Sequence, residues 1–198
     1  MKVEFHPYGV FIPKGAHSII VGSFPIAKFT QGKKLKEGEI DFFYGGSRNQ
    51  LWKLLSICFE RELKTKKQII DFLEEKGIAM GDVIASCQRK ENGSLDSDLI
   101  NCTYFKELGN FIEKNSIKKI FFTSLKVQTI FQKKIGGIKG VREVLLLSPS
   151  AGGIRRIPKL FEKEFKEWKK KNPQKSISEF RIHIYQSIIK APRWVAPA

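Results

Sequence analysis

At 198 residues, the chain is long enough to bury about 70% of its extended surface, which favours one domain over residues 1–198 and excludes two independent cores. A composition 41% hydrophobic and 12% aromatic, with 16 phenylalanines, excludes disorder, and the scattered Cys58, Cys87 and Cys102 exclude a disulfide framework or a CxxC pair. The 36 Lys and Arg against 20 Asp and Glu, a net charge of +16, point to a polyanion such as nucleic acid as partner, with solubility as the plainer alternative.

The opening MKVEFHPYGVFIPKG lacks the apolar stretch of a secretory leader, and no apolar run approaches the roughly 20 residues that cross a bilayer. A cytoplasmic protein with no membrane partner is therefore expected. SIIVG (18–22) is the first continuous apolar run of strand length, and the insertion over 26–49 contains the basic surface segment KFTQGKKLKEGE. Leu51, Leu54, Leu55 and Cys58 recur at helical spacing over 49–59, as do Ile69, Ile70 and Leu73 over 66–75. DVIAS (82–86) reads as a second strand, and Phe105, Leu108, Phe111 and Ile112 mark the next helix. KKIFFTS (118–124) is the third strand, 125–131 a short helix and EVLLLSPS (143–150) the fourth strand. Pro158 suits the first turn of a helix carrying Leu160, Phe161, Phe165 and Trp168, and SISE places a capping box at Ser176 and Glu179 before a last helix to Ile189. Strands that alternate with helices, and are mostly continuous in apolar residues, predict an α/β fold: a three-layer α/β/α sandwich with a central, mainly parallel four-stranded sheet.

Such folds hold ligands beyond the carboxyl ends of the strands, which gathers residues 22–25, 85–89, 123–124 and 148–153 around one cleft. Gly22 permits close approach beside Ser23, Phe24 offers an apolar wall and Pro25 fixes the turn; a ligand wall and a packed turn both fit. Phe43 and Tyr44 suit stacking on a planar base or packing in a core. Asn49 carries an amide donor and a carbonyl acceptor, able to orient water or to cap the following helix. Ser148, Pro149 and Ser150, followed by glycines, form either a phosphate-contacting or sugar-contacting loop or an ordinary turn. Arg155 and Arg156 would add charge there, and Arg48 and Lys126 are further candidate DNA-binding cations. Asp82, Asp96 and Asp98, with Ser94 and Ser97, read as turn and cap residues, and no compact set of metal ligands accompanies them, so neither a metal nor a cofactor is expected. His6, His17 and His183 have no triad companions nearby in sequence, and no GxSxG, GxxxxGKS or GxGxxG motif is present.

The ordered set GSFP (22–25), FFYGGSRNQLW (42–52), KGIAMGDVIASCQRKENGSLDSDL (76–99), KKIFFTS (118–124) and LLLSPS (145–150) resembles the uracil-DNA glycosylase superfamily, and is most similar to its mismatch-specific and hypoxanthine-DNA glycosylase branches. The resemblance implies a three-layer α/β/α fold and a monofunctional, cofactor-free monomer that hydrolyses the N-glycosidic bond of a deaminated base, uracil or hypoxanthine, in DNA. In the better-known branches an aspartate or asparagine before the first-motif proline handles the attacking water; Phe24 stands there and cannot. The hypoxanthine-type branch uses an asparagine of the second loop instead, which implies Asn49 as the catalytic residue. The resemblance further implies that Ser148 to Ser150 contact the flipped nucleotide and backbone. The histidine of the strongest uracil-specific enzymes is absent, which leaves a catalytically inactive nucleic-acid-binding protein of the same fold as the alternative.

Overall fold

A computed structural model describes residues 2–90, 96–150 and 157–189. Its centre is a four-stranded parallel sheet in the order β3-β2-β6-β7, built from β2 (Ser18–Gly22), β3 (Ile78–Asp82), β6 (Lys119–Phe122) and β7 (Arg142–Leu145). Every residue of β2 and β3 is buried, as continuous apolar strands must be when both sheet faces are covered. The register sets Gly22 opposite Asp82 and Val21 opposite Phe122, so one row of residues marks the carboxyl edge. Strand order reverses at β2, and the crevice of a doubly wound sheet opens at such a reversal.

Helices pack around this sheet and complete the three-layer α/β/α arrangement. The short α1 (Ala27–Thr30) is followed by α2 (Leu51–Phe59), which buries Leu51, Trp52, Leu54, Leu55 and Cys58. In α3 (Lys66–Lys76) Thr65 and Gln68 form a capping box, and Gly77 ends the helix at a φ of 58°, a conformation glycine adopts without strain. The chain continues through α4 (Glu107–Lys114), α5 (Leu125–Lys134), α6 (Lys159–Lys171) and α7 (Ile177–Ile189). The capping box expected at SISE is present: Ser176 Oγ accepts from the Glu179 amide at 3.3 Å, and the Glu179 carboxylate accepts from the Ser176 amide at 2.8 Å. Ile19, Ile20, Val21, Phe122 and Phe131 are among the core side chains.

A second sheet was not foreseen. β1 (Val3–Phe5), β4 (Ile84–Arg89) and β5 (Leu99–Tyr104) form an antiparallel sheet in the order β1-β4-β5. The strand expected over 82–86 is therefore corrected: the parallel sheet uses 78–82, and the chain turns at Val83 before entering β4. Two hydrogen bonds fix that turn, from the Val83 amide to Gly22 O at 2.9 Å and from the Ile84 amide to Ser23 O at 3.1 Å. Gly81 and Asp82 hide β3 in the sequence because both residue types disfavour extended structure on their own. The fourth strand also ends at Leu145 rather than 150.

Candidate functional site at the carboxyl edge

The carboxyl edge joins Gly22, Asp82 and Thr123. Asp82 is 4% exposed, and its Oδ2 lies 2.9 Å from His6 Nε2. His6 Nδ1 accepts from the amides of Tyr8 at 3.2 Å and Gly9 at 3.1 Å, so the ring proton sits on Nε2 and is donated to Asp82. Asp82 Oδ1 is buried without a hydrogen-bond partner among the described residues. Leaving such an acceptor unsatisfied costs about 1–3 kcal/mol, more when it is charged.

Tyr44 stands over the same point. A Cβ at Gly22 would come within 1.9 Å of the Tyr44 hydroxyl and 2.4 Å of Asp82 Oδ1, so only glycine fits there. Thr123 Oγ1 donates to Val21 O at 3.2 Å and therefore accepts from the Tyr44 hydroxyl at 3.2 Å, which leaves Asp82 Oδ1 without that proton. Burial, then the Asp82 charge, push the Tyr44 hydroxyl well above its ordinary pKa, and it stays protonated. Its backbone φ is 57°, strained for a bulky residue and characteristic of functional sites. The next residue, Gly45, is required because a Cβ would meet Ile40 O at 1.8 Å. The loop over 42–49 thus holds an aromatic ring over the sheet's central crevice.

A second junction adjoins α2. Asn49 bridges Ser150, and the Gln50 amide donates to Pro149 O at 2.9 Å, so the two loops singled out in the sequence cross each other. Asn49 Oδ1 accepts from the Leu51 amide at 2.9 Å, an Asx turn one residue ahead of the N-cap. The cap itself is Gln50, without a side-chain cap bond, so the expected capping role is corrected, and among the described residues no hydrogen bond engages Asn49 Nδ2. Ser148 Oγ and Ser150 Oγ lie 3.0 Å apart. The crossing is tied to α7, where the Tyr185 hydroxyl donates to Leu147 O at 2.9 Å and Arg181 Nη1 to Gln50 Oε1 at 3.3 Å.

The GSFP turn is strapped to the second sheet. Arg89 Nη2 donates to Pro25 O at 3.0 Å and to Glu4 Oε2 at 3.1 Å, and Glu4 also accepts from Thr30 and Gln31 at 2.7 Å. Burial raises the Glu4 carboxyl, but the bonds from Thr30, Gln31 and Arg89 and the Arg89 charge outweigh it and hold its pKa below the ordinary 4.5. The folded state gains stability from this carboxylate above pH 4.5, and loses that gain as pH falls through the lower folded value. E4Q should therefore show a flatter dependence of Tm on pH below pH 4.5 than the parent, measured by scanning calorimetry. Parallel curves would contradict the strap.

The candidate residues are thus partly brought together. Gly22, Ser23, Phe24, Pro25, Phe43 and Tyr44 surround the Asp82 edge; Asn49, Ser148, Pro149 and Ser150 meet at the crossing. Phe24 and Phe43 are 8% and 1% exposed, and Phe43 packs on His6, Tyr8 and Phe42 with ring centroids 5.2 to 5.5 Å apart. The Phe43 ring belongs to an aromatic cluster, with no open face for a base in this conformation. Arg48 and Lys126 are exposed, Lys126 in the first turn of α5. Arg155 and Arg156 lie outside the described residues, as do Ser94 and the glycines after Ser150. The segment 85–89, expected at the cleft, belongs to β4, from which Arg89 reaches the GSFP turn. His6 and Arg181 escaped sequence reasoning: His6 is 76 residues from Asp82, and Arg181 sits inside a helix with no motif around it. Among the described residues no group of three or more His, Cys, Asp or Glu is placed to hold a metal ion, and no helix is long and apolar enough to cross a membrane.

No family model matches the chain, and no curated protein matches it either. Its fold is similar to a solution NMR structure from Methanosarcina acetivorans provisionally described as a uracil DNA glycosylase, with a TM-score of 0.56 and 18% identity over 92% of this chain and 99% of the other. The chain therefore shares the α/β/α architecture of that protein.

Proposed function

We propose that the chain is a DNA base-excision glycosylase that hydrolyses the N-glycosidic bond of a deaminated base, hypoxanthine or uracil. The observation that carries the reading is the unpartnered Asp82 Oδ1 beside Gly22. His6 already donates to Oδ2, so Oδ1 offers only an acceptor, and its complement is an N–H. Deamination creates that group: uracil presents N3–H where cytosine has an acceptor, and hypoxanthine presents N1–H where adenine has one. An acceptor at the crevice floor would thus favour the lesion over its parent base.

Basic side chains gather the duplex and a base unstacks into the crevice, at a cost of a few kcal/mol that is smallest for a mismatched base. Tyr44 moves off Gly22 and stacks on the base. Asn49, its Oδ1 committed to the Leu51 amide, uses Nδ2 to hold a water against C1′, and the crossing with Ser148 and Ser150 receives the sugar-phosphate. The C–N bond breaks with its electron pair leaving on the base, water adds to C1′, and the water's proton ends on the departing base.

Incubating folded protein with duplex and single-stranded oligonucleotides containing uracil, hypoxanthine or xanthine, then cleaving abasic sites, is expected to reveal base release from at least one. No release across the panel would contradict the reading. The buried Phe24 at the usual water-activating position favours one alternative, an inactive DNA-binding protein of this fold; tight lesion binding without release would select it.

A further inference from the structure

Arg181 is 2% exposed, and its Nε has no hydrogen-bond partner. Among the described residues its one hydrogen bond is the 3.3 Å contact with the neutral Gln50 side chain, and no described carboxylate forms an ion pair with it. A guanidinium keeps its charge at working pH, so Arg181 is a buried cation with no counter-charge among the described residues. As a structural element it is a poor choice, since apolar residues of similar volume generally stabilise such sites at least as well.

Its position points to another role. Arg181 and Tyr185, one helical turn apart on α7, hold Gln50 and Leu147 from beneath the crossing of the two loops. On the outer side are the Ser148 and Ser150 hydroxyls and the exposed Arg48. What the arrangement lacks is an anion with several acceptor oxygens, and the phosphodiester of a nucleic acid has that chemistry.

We propose that Arg181 is the buried counter-charge of one DNA backbone phosphate that docks over the crossing of residues 49–50 and 148–150. The inference rests on the DNA-binding part of the proposed function and is independent of base release. Docking brings the phosphate close to a cation shielded from solvent, where attraction is strong even without direct contact.

Affinity for a lesion-free duplex, measured by fluorescence anisotropy across a salt series, tests it in the parent, R181K, R181M and R181Q, with Tm recorded for each. The neutral variants should lose about 0.9 from the magnitude of the slope of log K against log salt, the contribution of one neutralised phosphate, while R181K keeps the slope. R181M should melt at the parent's temperature or above it, since it removes an unpaired buried charge. An unchanged slope in a folded neutral variant overturns the inference, as does loss of the slope in folded R181K. Failure of both neutral variants to fold also overturns it, because the charge would then be structural. Absence of duplex binding by the parent at every salt concentration overturns the DNA-binding reading along with it, which separates the two failures.

Discussion

Replacing Asn49 with serine is expected to leave stability close to that of the parent while lowering single-turnover base release by about 10²–10³-fold, the cost of removing one preorganised hydrogen-bonding group from a reacting centre. The design of this variant follows from the two ends of the amide. Asn49 Oδ1 accepts from the Leu51 amide in an Asx turn, and a serine hydroxyl makes the same kind of local turn. Nδ2 is the end available to a water, and serine lacks it. N49A removes both functions and should therefore combine the same loss of turnover with about 1 kcal/mol of destabilisation from the lost hydrogen bond. Binding to lesion-containing DNA should change far less than turnover in both variants. Turnover of N49S equal to that of the parent would remove Asn49 from the chemistry and leave it a turn residue.

D82N is the complementary experiment. The His6 Nε2–H selects the oxygen of the new side-chain amide, as it selects Oδ2 of the carboxylate, so the NH₂ group takes the place of the unpartnered oxygen. The crevice floor changes from acceptor to donor and opposes an N–H on the base. Release of uracil or hypoxanthine should fall by about 10²-fold or more, because a mismatched buried donor leaves both groups unsatisfied. Stability should hold or rise by about 1 kcal/mol, since a buried carboxylate oxygen with no partner is removed. That combination of lost activity and retained stability separates a ligand-binding carboxylate from a structural one. A D82N enzyme that is destabilised yet equally active would assign Asp82 to folding alone.

The fold was legible wherever the signal was local. SIIVG is a strand over its expected residues because both faces are covered and its apolar run is unbroken, and SISE caps α7 as its spacing requires. β3 was misplaced because Gly81 and Asp82 have weak strand preference; it is held by pairing with β2, a contact between distant segments. The antiparallel sheet escaped for the same reason, since β1 has only three residues and gains its order from β4. At the site, the crossing of Asn49 with Ser150 agrees with the motif order. The Asp82–His6 pair was invisible because a histidine among aromatic residues near the amino terminus gives no sign of a carboxylate 76 positions away. Tyr44 illustrates the converse: its aromatic ring marked it for stacking or core packing, but only the structure shows that the ring stands over Gly22.

The most direct measurement is a crystal structure of the protein bound to an oligonucleotide carrying a non-hydrolysable 2′-fluoro hypoxanthine nucleotide. The base N1–H is predicted to lie within hydrogen-bond distance of Asp82 Oδ1, with Tyr44 displaced from Gly22 and Asn49 Nδ2 facing C1′ through one water. A base bound elsewhere on the surface, with Tyr44 still hydrogen-bonded to Thr123 over an unchanged Asp82, would contradict the account.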